Sequence, residues 1–261
     1  MLRKTNATQP TEILDPIAAY DRIAGDFSRI AQERFRYLRA IEKLIAERIP
    51  PGSVSLLDVG AANGSRSARI ADEAGLSDIV LLEPSNEMVK GAGNSAGIWA
   101  LRAEDLNSQN PDVVSLTKHR RFDVIVCLWN VLGHIESPNR TRVVTQLGKM
   151  LSPHGRIFLD INHRYNVRSY GLWKTAARFL RDSFLPRATN GDVVVTWRVG
   201  NEECRTHGHV FTHGEIRKLA FDAQLLIEER PVVDYDTGEL RRFGHQGNLL
   251  YVLRRRIGMT A

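Results

Sequence analysis

The stretch Leu56-Leu57-Asp58-Val59-Gly60-Ala61-Ala62-Asn63-Gly64-Ser65 decides the fold. Its apolar run ends in a carboxylate, and two glycines four residues apart follow. Glycine has no Cβ and readily adopts positive φ, so such a loop lets the backbone approach a ligand closely. The residues from Ser65 to Ala74 then have the pattern of a helix. The stretch therefore predicts a strand, a glycine loop and a helix, the arrangement with which Rossmann-like sheets hold a nucleotide.

Strands and helices alternate between residues 53 and 162. The pattern predicts strands at Val54–Val59, Ile79–Glu83, Ile98–Leu101, Phe122–Leu128 and Ile157–Ile161, and helices at 65–74, 86–92 and 138–151. Such alternation is typical of a parallel sheet with helices on both faces, whose ligands bind beyond the carboxyl ends of the strands. We therefore expect a doubly wound α/β fold with a mostly parallel seven-stranded sheet and an antiparallel last strand.

The remaining segments predict additions to this core. We expect five parts: a flexible tail (1–14), a helical cap (15–49), the core (50–162), an insertion forming a lid or substrate wall (163–212), and a C-terminal helix with closing strands (213–261). In the insertion, Val167–Leu185 predicts an amphipathic helix, and Val193–Val199 with Gly208–Phe211 predicts an antiparallel ribbon. After it, we expect a helix at 213–223 and a hairpin of two strands, Leu225–Val233 and Asn248–Arg254.

Composition excludes several classes of protein. The 261 residues are 43% hydrophobic, enough for a buried core, but no apolar run reaches the roughly 18 residues that span a bilayer. Met1–Asn6 lacks the apolar core of a secretory signal, and two cysteines, Cys127 and Cys204, make neither a disulfide framework nor a zinc site. We expect a cytoplasmic protein without metal. The net charge of +6 attracts anions, but the basic residues are spread out, which favours a solvated basic face.

The glycine spacing distinguishes between cofactors. A dinucleotide-binding fingerprint would place glycines at 60, 62 and 65, but the chain has Ala62 and Ser65, and no Gly-Lys-Ser/Thr of a P-loop follows. The arrangement Asp58-x-Gly60-x-x-x-Gly64 instead resembles motif I of class I S-adenosylmethionine-dependent methyltransferases, type 11 and type 25 members included. That family often has glycine where this chain has Ala62. Further segments resemble the family in order and spacing: Glu83-Pro84-Ser85-Asn86-Glu87-Met88, Arg102-Ala103-Glu104-Asp105-Leu106, Phe122–Ile135 and Leu151–Ile157.

The resemblance implies S-adenosylmethionine as the cofactor. It implies that Glu83 accepts hydrogen bonds from both ribose hydroxyls, that Met88 packs against the adenine, and that Glu104 or Asp105 contacts the exocyclic amine. The N-terminal segment around Tyr20 is similar to a helix that many members fold over the methionine moiety. The implied cofactor site consists of Tyr20, Asp58, Gly60, Ala61, Gly64, Glu83, Pro84, Met88, Ala103, Glu104, Leu128 and Asn130.

The methyl acceptor is expected where the loops after the fourth and fifth strands meet the insertion. Histidine titrates near neutral pH, so His134 and His163 are candidate catalytic bases, with local hydrogen bonding as the alternative for each. Candidate substrate-binding residues are Asn162, Arg164, Tyr165 and Tyr170. Arg164 with Tyr165 could bind a carboxylate, or be a surface arginine on a loop. Trp173, Phe179 and Trp197 are expected to offer apolar walls.

Three functions fit these residues. The first, which we favour, is methylation of an O or N atom of a small metabolite, acidic acceptors included. The second is a tRNA methyltransferase of the wobble-uridine carboxymethyl type, because His209–Ile216 is similar to a segment of those enzymes. No basic stripe with aromatic residues supports the second. The third is a non-catalytic S-adenosylmethionine-binding partner protein. The sequence predicts neither the acceptor nor the oligomeric state.

Overall fold

The computed structural model describes residues 12–93, 96–200 and 202–256. The helices are α1 Pro16–Ile23, α2 Phe27–Gln32, α3 Phe35–Ala46, α4 Ser65–Ala74, α5 Asn86–Val89, α6 Pro111–Thr117, α7 Val131–His134, α8 Ser137–Met150, α9 Val167–Tyr170, α10 Leu172–Phe184 and α11 His213–Asp222. The strands are β1 Ile13–Leu14, β2 Ser55–Val59, β3 Asp78–Leu82, β4 Gly97–Trp99, β5 Phe122–Cys127, β6 Leu151–Ile161, β7 Asp192–Val199, β8 Glu202–His209, β9 Leu225–Glu229, β10 Val232–Val233, β11 Leu240–Arg241 and β12 Asn248–Arg255.

The central sheet has the strand order β11-β10-β12-β6-β5-β2-β3-β4, and β9 also pairs with β12. The pairs from β4 to β6 are parallel, and β12 is antiparallel to β6. The chain moves outward in one direction through β3 and β4 and in the other through β5 and β6. The order therefore reverses between β2 and β5, and ligands of such sheets bind at this point, beyond the carboxyl ends of the strands.

The doubly wound, mostly parallel α/β fold is confirmed, and helix α4 has the bounds that the sequence predicts. The expected seven strands are wrong, because the described part of the sheet has nine. The predicted strand Leu225–Val233 is divided into β9 and β10 at Arg230-Pro231, where proline lacks the N–H that a continuous ladder needs. The predicted antiparallel pairing of this segment with Asn248–Arg254 is confirmed: β9 and β10 are both antiparallel to β12, which lies between β6 and β10.

The N-terminal cap and the insertion share a second, smaller sheet. Strand β8 pairs antiparallel with β7 and parallel with β1. Strand β1 thus lies within the segment expected to be a flexible tail, of which residues 1–11 lie outside the described part of the chain. The predicted helix over 167–185 is two helices, because Gly171 has φ 80° between α9 and α10. No described helix is long and apolar enough to cross a membrane.

A left-handed turn follows β5. Trp129 has φ 56° and Asn130 has φ 63°, a conformation that costs a non-glycine residue roughly 1–2 kcal/mol. Asp160 on β6 stabilises the turn: its Oδ2 accepts the Trp129 N–H at 2.9 Å and its carbonyl accepts the Asn130 N–H at 3.1 Å. The buried Tyr37 hydroxyl donates to Asp160 Oδ1. Burial raises the pKa of the Asp160 carboxyl to about 6, while these hydrogen bonds oppose the rise.

We expect Tyr37→Phe to lower the free energy of unfolding by about 1.5–3 kcal/mol at about pH 8, because a buried carboxylate loses a donor. Urea unfolding measures the change. Tyr251→Phe is the matched control: its hydroxyl lies 3.0 Å from His213 Nδ1 and serves no buried carboxylate, so its loss should cost only about 0.5–1.5 kcal/mol. Equal losses in the two variants would contradict the special role of the Asp160 carboxylate.

Candidate active site

The glycine loop after β2 is shaped by positive φ angles and close neighbours. Gly60 has φ 71° and Gly64 has φ 70°. A Cβ on Gly60 would lie 2.5 Å from Val131 Cγ2, and one on Gly64 would lie 2.6 Å from Leu81 Cδ1. Both positions therefore require glycine. Ala62, at the position of the family's third glycine, also has positive φ, 51°.

Glu83 follows β3 and supports this loop from the side. Its Oε2 accepts the Ala62 N–H at 2.8 Å, and its Oε1 accepts the Ser85 N–H at 2.9 Å. Burial raises the pKa of the Glu83 carboxyl, and the two N–H donors counteract the rise. Ser85 also contacts the cap, because its hydroxyl donates a hydrogen bond to Asp21 of α1. These two backbone donors thus orient the Glu83 carboxylate. Glu83 also lines the cleft between the glycine loop and the cap.

A cleft with about 770 Å³ of empty space lies between the glycine loop, the turn after β5 and the cap; we call it the cofactor cleft. It is lined by Pro16, Ile17, Tyr20, Phe27, Val59, Gly60, Ala62, Arg66, Leu82, Glu83, Pro84, Arg102, Ala103, Glu104, Leu128, Trp129, Val131, His134 and Ile135.

Seven of the twelve residues predicted for the cofactor line this cleft: Tyr20, Gly60, Glu83, Pro84, Ala103, Glu104 and Leu128. The structure places Ala61, Gly64 and Met88 behind the lining, with Met88 packed in a buried cluster that includes Ala62. Asn130 lines a neighbouring chamber instead. The structure also separates Glu104 from Asp105, because Asp105 Oδ2 accepts the Arg102 N–H at 3.0 Å. Glu104 lines the cleft, which favours it as the adenine contact.

Two buried polar atoms near the glycine loop lack a hydrogen-bond partner within the described residues: Asp58 Oδ1 and Arg66 Nη1. Asp58 Oδ2 is bonded to the Ser67 hydroxyl, and burial raises the pKa of the Asp58 carboxyl. Arg66 lines the cofactor cleft, so its unpaired donor is available to an anionic group of a ligand, whereas Asp58 is fully buried and lies behind the lining. The sequence interpretation missed Arg66, whose only signal was its place at the second position of the helix after the glycine loop.

A second chamber of about 470 Å³, the acceptor chamber, adjoins the cofactor cleft. Four residues line both spaces: Tyr20, Phe27, Trp129 and His134. The other lining residues are Ile23, Ile30, Asn130, Asn162, Val195, Trp197 and Tyr235. Phe27 and Tyr235 were not predicted as site residues, because apolar spacing alone does not distinguish a chamber wall from the core. The walls are mainly aromatic and come from the cap, the core and the insertion.

His134 lies at the junction of the two spaces with a defined tautomer. Its Nδ1 lies 2.9 Å from the His207 carbonyl oxygen, which only accepts, so Nδ1 carries the proton. Nε2 therefore has a free lone pair, and the Tyr20 hydroxyl lies 3.3 Å from it. Burial lowers the pKa of His134 from its usual 6.5, which keeps the ring neutral at physiological pH. A neutral histidine with its second nitrogen fixed by a carbonyl has the features of a general base.

His163 and Arg164, also predicted for the acceptor site, lie outside the acceptor chamber. His163 Nδ1 bonds the Gly244 carbonyl at 2.8 Å, and burial lowers the pKa of His163 to about 4. Arg164 is buried between Asp182 and Glu215, at 2.8 and 2.5 Å. These two ion pairs occupy its guanidinium, so Arg164 is not available to bind a substrate carboxylate.

Of the remaining predicted residues, Tyr165 donates to Asp182 at 2.7 Å, away from both spaces. Tyr170 and Asn162 line a third, polar chamber of about 570 Å³ beside the acceptor chamber. Asn162 lines both. Of the three expected aromatic walls, the described lining of the acceptor chamber contains Trp197 but neither Trp173 nor Phe179. Those two side chains are exposed.

Comparison with known proteins supports the same fold and the same cofactor. The family described as "Methyltransferase domain" matches residues 29–229. A S-adenosylmethionine-dependent methyltransferase from Clostridium acetobutylicum has 15% identity and a TM-score of 0.59, covering 90% of this chain and 98% of its own. A methyltransferase from Haloferax volcanii in complex with the Trm112 activator has 14% identity and a TM-score of 0.63, covering 94% and 99%. No curated protein matches the sequence significantly.

A sugar N-methyltransferase, KedS8 from Streptoalloteichus, is also similar, with 16% identity and a TM-score of 0.54 over 98% of this chain and 99% of its own. Identities this low show a shared fold and nothing about the acceptor. The family match implies S-adenosylmethionine, and the cleft fits it. We propose that Glu83 would hold the ribose, Glu104 the adenine amine, and Arg66 the carboxylate of the methionine part.

Two variants separate the two ends of the cofactor. We expect Glu83→Ala to weaken binding of both S-adenosylhomocysteine and 5′-methylthioadenosine at least about tenfold, because both contain the ribose. Arg66→Met should weaken S-adenosylhomocysteine by a similar factor and leave 5′-methylthioadenosine unchanged, because the latter lacks the carboxylate. Isothermal titration calorimetry measures all four affinities.

Asp105→Asn is the control for this experiment, because its side chain bonds a backbone N–H beside the cleft. It should leave both affinities unchanged. If Arg66→Met weakened both ligands equally, its assigned role at the carboxylate would be wrong.

Proposed function

The chain belongs to the S-adenosylmethionine-dependent methyltransferase family, and we propose that it methylates an O or N atom of a small molecule held in the acceptor chamber. The observation that carries this proposal is the junction of the cofactor cleft with an aromatic chamber of about 470 Å³ at His134 and Tyr20. Aromatic and apolar side chains around a concave space are typical of sites for small organic molecules.

Methyl transfer requires an acceptor atom in line with the methyl group, in a site without water. S-adenosylmethionine, when bound, supplies a methyl group on a positively charged sulfur that leaves as a neutral thioether. The residues of the chain orient the acceptor and exclude solvent. The rings of Phe27 and Trp129 form one wall, with centroids 5.8 Å apart, and Tyr20 and Trp197 form the other, with centroids 5.3 Å apart. A planar or partly apolar acceptor fits such walls.

His134 is the proposed base. An acceptor hydroxyl loses its proton as the methyl group is transferred, and a protonated amine must lose one before its nitrogen can attack; in both cases the lone pair of Nε2 takes the proton. The His207 carbonyl, already bonded to Nδ1, then stabilises the imidazolium that forms. Tyr20, whose hydroxyl contacts Nε2, would yield its place to the acceptor. The His207 carbonyl is thus the third group that orients the base, as is typical of sites that activate a nucleophile.

The contacts of Arg164 do not support an acidic methyl acceptor. Arg164 was the candidate for a carboxylate, but Asp182 and Glu215 neutralise it, and the hydrogen bonds of Glu215 lower the pKa of that carboxyl to about 2. No arginine, Arg164 included, lies among the described residues that line the acceptor chamber. The acceptor is therefore proposed to be neutral or cationic at the end that enters the chamber.

Fractionated acceptor pools test the proposed function. With methyl-labelled S-adenosylmethionine, we expect label in the low-molecular-mass fraction of a metabolite extract and none in a tRNA pool. Trp197→Ala should reduce this transfer at least about tenfold while cofactor affinity is retained, because Trp197 lines the acceptor chamber and not the cofactor cleft. Label that enters tRNA alone, with binding that weakens steeply as salt rises, would instead support the RNA-modifying alternative.

The role of His134 predicts the pH dependence. The base must be neutral, and its pKa lies below 6.5, so kcat/KM should stay level from alkaline pH down through 6.5 and fall only below its lowered pKa. His134→Asn should reduce kcat by about 10²–10⁴-fold and abolish this acidic limb. Tyr20→Phe should move the limb to higher pH, because it removes a hydroxyl that donates to the neutral ring. A full-rate His134→Asn enzyme would show that the acceptor needs no base.

A further inference from the structure

Helix α10 has an apolar side that nothing in the described chain covers. Its exposed residues are Leu172, Trp173, Phe179, Leu180 and Phe184, followed by Leu185; we call these the α10 apolar face. Trp173 is 85% exposed and Phe184 is 78% exposed. Thr175 is the one fully buried residue of the helix. Exposed patches of large apolar residues on this scale mark a site of interaction.

The rest of the helix and the residues that follow it carry positive charges. Lys174, Arg178 and Arg181 lie on the other side of the helix, and Arg187 follows it. Neither Lys174 nor Arg187 forms an ion pair with any described residue. The single acid of the helix, Asp182, points inward, where it binds Arg164 and the Tyr165 hydroxyl. The surface around the apolar face is therefore positive with no exposed acid from its own helix.

We propose that the α10 apolar face docks on an anionic lipid bilayer. Helices that lie in a membrane interface combine Trp, Phe and Leu on one side with Lys and Arg on the other. The rings would enter the boundary between headgroups and acyl chains, while Lys174 and Arg187 would reach the phosphates. The protein has a net charge of +6, which attracts it to the same surface.

Charge disfavours a second copy as the occupant. A symmetric dimer through this face would place the same cations of both chains at its rim. Asp182 is turned inward, so no exposed carboxylate of the helix would meet them. Like charges at the edge of an interface weaken it, whereas lipid phosphates complement them.

The face lies next to the acceptor side of the molecule. Helix α9 precedes α10 directly, and the Arg178 guanidinium stacks 4.3 Å above the Tyr170 ring. Tyr170, with Arg168 and Ser169, lines the third chamber, which shares Asn162 and Tyr235 with the acceptor chamber. Docking would thus bring this side of the enzyme towards lipophilic molecules dissolved in the bilayer, a consequence that rests on the proposed function.

Vesicle co-sedimentation tests the docking. The intact protein should sediment with vesicles of phosphatidylcholine and phosphatidylglycerol, less with pure phosphatidylcholine, and less as salt rises. The double variant Trp173→Ser/Phe184→Ser should bind at least about tenfold more weakly. Lys174→Glu/Arg187→Glu should lose the preference for phosphatidylglycerol. Thermal unfolding and S-adenosylhomocysteine binding confirm that each variant is folded, independently of any methyl transfer.

Phe221→Ser is the matched control, because Phe221 is an exposed aromatic residue on another helix, α11. It should leave vesicle binding unchanged. Three results would overturn the proposal: no binding to any vesicle, equal binding by the Trp173→Ser/Phe184→Ser variant, or equal loss in Phe221→Ser. Concentration-dependent dimers, lost in the Trp173→Ser/Phe184→Ser variant and without vesicle binding, would assign the face to a second copy instead.

Discussion

The Asp160 carboxylate constrains the whole site. It holds the turn after β5 in a left-handed conformation, and that turn separates the cofactor cleft from the acceptor chamber. Trp129 lines both spaces, and Asn130 fixes the start of the insertion because its Oδ1 accepts the Asn162 N–H at 3.0 Å. A buried carboxylate is costly unless it is fully hydrogen-bonded. Tyr37 from the cap supplies the missing donor, so the cap contributes to the geometry of the loop as well as covering it.

The fold and the cofactor could be predicted because they depend on local signals. Gly60 and Gly64 occupy positions that only glycine tolerates, so the residue type reveals the backbone conformation. Glu83 lies at the end of the next strand, and parallel strands bring their carboxyl ends to one edge of the sheet. The hydrophobic pattern was less informative at the far edge of the central sheet, where Pro231 interrupts an apolar run that predicts a single strand.

The acceptor side could not be predicted to the same extent, because its residues depend on distant partners. Arg164 has the side chain of an anion-binding residue, yet Asp182 and Glu215, 18 and 51 positions away, occupy it. Trp173 has the apolar character of a wall but points to solvent. His134, by contrast, lies at the end of α7 in the loop region after the fourth core strand, and its accessible Nε2 results from the carbonyl of His207, 73 positions away. Residue type gave the candidates, and tertiary contacts decided among them.

The two-residue strand β1 joins the cap to the insertion through β8, and the Thr206 hydroxyl reinforces the joint by donating to the Leu14 carbonyl at 2.8 Å. Helix α1, which begins two residues later, contributes Tyr20 to both spaces. One short strand pairing therefore ties the cap, which carries Tyr20, to the ribbon that carries Trp197. The two adjoining spaces thus have walls whose relative position depends on the same two residues of β1.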